Sequence, residues 1–189
     1  MKIDKKYLDI LNDADCWHAI QLAEAFATDI STEEKSAEVD FHNGEDIIKI
    51  SPDKKKAREI YQIILDKAMS SSDIINIADS ILNNLKDEKW VVKIYKQAMQ
   101  LANTTSEILE LPISDIANEY GEFKDKKWAK EILLLGLDLC VTFDDYNRLS
   151  DQIFLALDDT KWALDVLAVE IPHLSSFHFV RQQHYCAEW

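Results

Sequence analysis

The chain has 189 residues, 47% apolar and 30% charged, a composition that suits one packed domain spanning 1–189 and excludes a disordered chain. Its 35 acidic against 21 basic residues leave a net charge of −14, which argues against a surface built for nucleic-acid phosphates and favours encounter with cationic partners. Three Gly and three Pro are too few to punctuate an all-β fold.

The first residues, MKIDKKYLDILNDADCW, lack the apolar stretch of a signal peptide, and no run of about 18 apolar residues follows that could span a bilayer. A cytoplasmic protein without membrane contact is therefore expected. Cys16, Cys140 and Cys186 are odd in number and widely spaced, so no disulfide framework follows.

Residues 4–11 and 15–28 read as an N-terminal pair of helices. In the second, Trp17, Ile20, Leu22, Ala23, Phe26 and Ala27 keep a helical period, with Asp15 or Asp13 as cap. Residues 29–51 break the pattern as an irregular, acidic insertion. Asn43-Gly44 inside it is a hairpin signal, and a long exposed loop is the alternative.

From residue 53 a phrase repeats: Asp53-Lys-Lys-Lys56-Ala, Asp87-Glu-Lys-Trp90-Val, Asp125-Lys-Lys-Trp128-Ala and Asp159-Thr-Lys-Trp162-Ala, at steps of 34, 38 and 34 residues. Each phrase opens an apolar helical stretch, and Trp17 reads as a further, degenerate copy. Between phrases, Ser71-Ser72-Asp73, Thr105-Ser106 and Asp144-Asp145 read as starts of intervening helices. Pro112 interrupts the middle one, where the step is four residues longer. A shift by two repeats lays Asp73, Ile77, Ile81, Leu85 and Asp87 on Asp145, Leu149, Ile153, Leu157 and Asp159. A period of this size predicts helix pairs that bury their apolar faces by stacking on one another.

The unit Ile77-Ala78 … Lys86-Asp87-Glu-Lys-Trp90-Val91 … Tyr95 … Ala98 resembles a tetratricopeptide repeat. Val91, Tyr95 and Ala98 match the family's second helix. Ala78 and Ser150 stand where it usually has Gly, and its closing Pro is missing. The resemblance covers about three units, residues 53–169. It implies an all-α, right-handed α-solenoid of antiparallel helix pairs that binds peptides or proteins on its concave, first-helix face.

Trp90, Trp128 and Trp162 have two readings, a buried ladder at the helix junctions or a ligand-stacking row, and burial is the expectation. Asp87, Asp125 and Asp159 are expected to be structural caps. Asp13, Asp15, Cys16 and His18, and separately His178, His184 and Cys186, are the two clusters with metal-binding side chains. Neither has paired CxxC or HExxH spacing, so no metal is expected. No nucleophile motif, paired-acid signature or glycine-rich phosphate loop is present, which predicts a protein without enzymatic activity or cofactor. The tail, 170–189, carries Phe177, Phe179, Val180, Tyr185 and Trp189. It reads as a cap on the last repeat, or as an interface for a partner or a second copy.

A groove formed by residues 73–85, 106–121 and 145–157 would place Asp79, Asn83, Asn118 and Asp151 as exposed, partner-facing groups. Such a groove favours a basic peptide or protein surface. The alternative function is an immunity or inhibitor protein that neutralises a cationic toxin.

Overall fold

A computed structural model describes residues 5–13, 15–28, 37–40, 47–118 and 123–169; of 5, 6, 10, 13, 37–40 and 47–49 it describes the backbone only. Among the described residues the helices are α1 (Lys5–Asp13), α2 (Cys16–Ala27), α3 (Lys54–Lys67), α4 (Ser71–Leu85), α5 (Glu88–Leu101), α6 (Thr105–Ile108), α7 (Ile113–Ala117), α8 (Lys126–Asp138), α9 (Phe143–Leu157) and α10 (Thr160–Ala168). The insertion contributes the hairpin of β1 (Ala37–Asp40) and β2 (Ile47–Ile50), antiparallel with Ala37 opposite Ile50 and Asp40 opposite Ile47. Of the two readings of this segment, the structure takes the hairpin.

Two kinds of cap alternate along the chain. Asp53, Asp87, Asp125 and Asp159 are the N-caps of α3, α5, α8 and α10, and each carboxylate accepts the amide three residues on, at 3.1, 3.0, 2.9 and 2.9 Å. Ser70, Thr104 and Thr142 cap α4, α6 and α9, and the two threonines form full capping boxes with Glu107 and Asp145. Each hydroxyl stands at the same offset in sequence from the capping Asp before it: Asp53, Asp87 and Asp125. These helices therefore start one to three residues before the positions expected from sequence.

The turns into α5, α8 and α10 are left-handed. Lys86, Lys124 and Asp158, each directly before a capping Asp, have φ of 55, 52 and 56°. No glycine supplies the conformation. Pro112 stands at the N-cap of α7 and divides the expected long helix into the short α6 and α7.

The second helices share one burial code. Positions four, seven and eight after the Asp are buried in all four: Ala57, Ile60 and Tyr61; Val91, Ile94 and Tyr95; Ala129, Ile132 and Leu133; Ala163, Val166 and Leu167. Position eleven holds Ile64, Ala98 and Gly136. At Gly136 a Cβ would come within 3.1 Å of Leu149 and 3.3 Å of Ile108, so α8 passes close to α9 and α6 there. Buried Ser150 donates its hydroxyl to the Ala163 carbonyl at 3.0 Å, tying α9 to α10.

The chain divides into two compact units, Met1–Ala102 and Asn103–Trp189. In the first, α2 packs on α3, α4 packs on α5, and α2 and α3 both reach α4. In the second, α6 and α7 pack on α8, α8 on α9, and α9 on α10. Helices thus pair as first and second members, and the hairpin interrupts the first pair, between α2 and α3. Among the described residues, no helix is long and apolar enough to cross a membrane.

Candidate functional site

A helical spacing of three or four residues sets Trp17, Ile20 and Glu24 along one stripe of α2, and Asn76, Asp79, Ser80 and Asn83 along one stripe of α4. The two stripes, with Cys16 and Asp73, line a groove of about 370 Å³ in the first unit. Glu24, Asp73 and Asp79 contribute carboxylates. The lining contains no Lys or Arg.

The floor orients these acids through buried hydroxyls. Ser80 Oγ donates to Glu24 Oε1 at 2.7 Å and lies 2.6 Å from the Tyr61 hydroxyl. Ser80 has one proton, so Tyr61 is the donor to Ser80 and the chain runs Tyr61 to Ser80 to Glu24. Burial pushes the Tyr61 phenol up to about 12, which keeps it a donor. Asn84 Nδ2 reaches Glu24 at 3.5 Å, and the Tyr95 hydroxyl donates to Asp79 Oδ1. Glu24 and Asp79 are thus held by neutral donors.

Cys16 registers the resulting field. Its thiol is pushed up to about 11, first by burial and then by the charges of Asp73 and Asp15. At neutral pH it is a thiol and not a nucleophilic thiolate.

Basic side chains are sorted by helix type. The first helices α2, α4, α6, α7 and α9 carry a single Lys or Arg, Arg148, against Glu24, Asp73, Asp79, Glu107, Asp115, Asp144, Asp145 and Asp151. The second helices α3, α5, α8 and α10 carry twelve.

Of the four groups expected to face a partner, Asp79 and Asn83 come together in this groove. Asn118, the C-cap of α7, and Asp151, on α9, are exposed but belong to the second unit. Asp79 corrects an expectation: it is half-buried and bonded to Tyr95, so it is part of the floor as well as of the lining. Trp17 corrects another. It begins a first helix and not a second one, and it is 61% exposed at the groove. Sequence reasoning missed Glu24, Asp73 and Asn76. The stripe 17, 20, 24 was visible, but that α4 is its neighbour is decided by tertiary packing.

The tryptophans of the repeated phrase lie elsewhere. Trp128 is buried and meets Phe123 edge-on at 5.9 Å between ring centres. Trp90 and Trp162 are half-buried beneath cations of the preceding second helix: Arg58 at 4.4 Å and Lys130 at 5.2 Å. Arg58 Nη1 also reaches the capping Asp87 at 2.5 Å. Both cations stand five residues after a capping Asp, so a single rule joins consecutive second helices in each unit.

Asp15 caps α2, accepting from the His18 amide at 2.9 Å and meeting His18 Nδ1 at 2.8 Å. Among the described residues no group of three or more His, Cys, Asp or Glu is placed to hold a metal ion. The side chain of Asp13, and His178, His184 and Cys186, lie outside the described residues. Compared with family models, curated proteins and solved structures, the chain matches none.

Proposed function

We propose that the chain is a tetratricopeptide-like, right-handed α-solenoid that binds a basic peptide or protein segment, without turnover, in the groove between α2 and α4. One observation carries the reading: three carboxylates converge on a groove lined by no cation and edged by the exposed Trp17. An Arg or Lys entering it meets fixed acceptors and an indole face, on which a cation can stack. The exposed amides of Asn76 and Asn83 can both donate and accept, which suits an extended backbone. Arg58, seated on Trp90 and bonded to Asp87, has the same chemistry within this chain.

Affinity capture from native lysate at low salt, followed by a salt gradient, tests the reading. Capture should weaken steeply toward physiological salt, where exposed charges are screened beyond roughly 8 Å. Trp17→Ala and Glu24→Gln should each weaken it without a change in fold, since the amide oxygen introduced by the second can still accept from Ser80. A partner that survives high salt, or ignores both substitutions, overturns the reading. The same acidic groove also supports the second reading, an immunity protein for a cationic toxin, because charge complementarity accelerates capture. Rescue of toxin-poisoned cells by the wild type and not by Trp17→Ala would single it out.

A further inference from the structure

A second cavity adjoins the groove in the first unit. Residues of α1, α2, α3 and α4 line a pocket of about 170 Å³, and Cys16 and Asp73 belong to its lining as well as to that of the groove. The two cavities therefore share a wall. Their chemistry differs. The polar side chains of the smaller pocket are engaged within the chain: Lys67 Nζ donates to the Leu11 carbonyl at 2.7 Å and to Asn12 Oδ1 at 3.1 Å. Asp15 accepts from the His18 amide and meets the His18 ring, and Asp73 Oδ2 accepts from the Ser70 hydroxyl at 2.7 Å. What remains to face an occupant is aliphatic: Leu11, Ala19, Ile63, Ile64 and Ala68. Cys16, at the shared wall, is a neutral thiol and packs as a small hydrophobe.

Resting on the basic-segment reading of the groove, we propose that this pocket is its second subsite, which takes an aliphatic side chain lying close to the basic residue in the same partner segment. A cavity of roughly 150 Å³ lined by apolar side chains accepts a benzene molecule, so the space here suits one branched aliphatic group. The partner segment is then amphipathic and not merely basic. Its cation meets the carboxylates of the groove, and its aliphatic group leaves water against Ile63 and Ile64. Exposed ion pairs contribute little by themselves, whereas burying an aliphatic side chain contributes more, so the second anchor decides which basic segments are held.

Isothermal titration of the full chain at low salt tests this with acetylated, amidated glycine peptides. One carries arginine alone; the others carry arginine and leucine in either order, adjacent or separated by one or two glycines. The best arginine–leucine peptide should bind at least about tenfold more tightly than the arginine peptide. Ala68→Phe, which fills the pocket from the extended backbone after α3, should cancel that gain and leave the affinity for the arginine peptide unchanged. Ile63→Asn, which makes the lining polar, should do the same. Both positions are half-buried, so both variants should fold, as circular dichroism would show, and either one decides if the other does not. An arginine peptide that binds but gains nothing from leucine at any spacing overturns the subsite alone, as does a gain that ignores the substitutions. An arginine peptide that fails to bind overturns the groove reading and the subsite with it.

Discussion

Asp87 caps α5 and receives Arg58, and both hydrogen bonds favour its ionised form. Arg58 is the larger influence in holding its carboxyl below the usual range, and the Trp90 amide adds to it. Because the folded carboxyl is more acidic than the unfolded one, near 3.9, its stabilisation is complete above that pH and is lost as pH falls through the lower folded value. Asp87→Asn should therefore lower the urea midpoint at pH 7, and the two proteins should converge as pH falls through the lowered folded value of Asp87. A constant gap at all pH values would show that the carboxylate charge is not involved. Lys86 and Asp158 incur a different cost, a left-handed backbone with a Cβ attached. Lys86→Gly should raise stability by about 0.5–1 kcal/mol, the relief of that strain less the added freedom of the unfolded chain. Chemical denaturation would show it, and a loss would mean that Lys86 contributes through its side chain.

Among the helices, the second members were legible in sequence and the first members less so. The Asp phrase signals a cap, a cation or indole, and a burial code at four, seven and eight, all local features of the chain. The hydroxyl caps were misplaced because acidic residues within a first turn look like caps themselves. Asp144 and Asp145 are first-turn acids, and the cap is Thr142. The groove was half legible. Register alone points Asp79 and Asn83 to one side, but no period in α4 announces that Tyr95 of α5 reaches Asp79 or that α2 supplies Trp17 and Glu24. Gly136 shows how an element departs from the shared code. Ile64 fills the corresponding slot of α3, whereas α8 keeps no side chain where Leu149 and Ile108 approach. Gly136→Ile should cost about 1–3 kcal/mol through overpacking, despite the better helix propensity of Ile. A thermal melt that rises instead would show that the crossing of α8 can open.

Across the helix pairs, keeping all Lys and Arg but Arg148 on the second helices makes the net charge of −14 a poor guide to any one surface. The placement of the hairpin has another consequence, one of folding order. Lys86 and Asp87 alone join α4 to α5, whereas the whole stretch 28–53 separates α2 from α3. By chain statistics that longer loop adds roughly 2 kcal/mol to the entropy of closing the pair, before any strand pairing shortens it. Helix pairs with tight turns then form early, and α2 docks onto a surface already made by α3 and α4. Core truncations should report this as φ-values: near zero for Leu22→Ala in α2, and well above 0.3 for Ile94→Val in α5 if its destabilisation exceeds about 0.6 kcal/mol. High φ at Leu22 would place the hairpin and α2 in the nucleus. With α2 late, the groove it shares with α4 is the last part of the first unit to take shape, and a ligand seated there should slow unfolding more than it speeds folding.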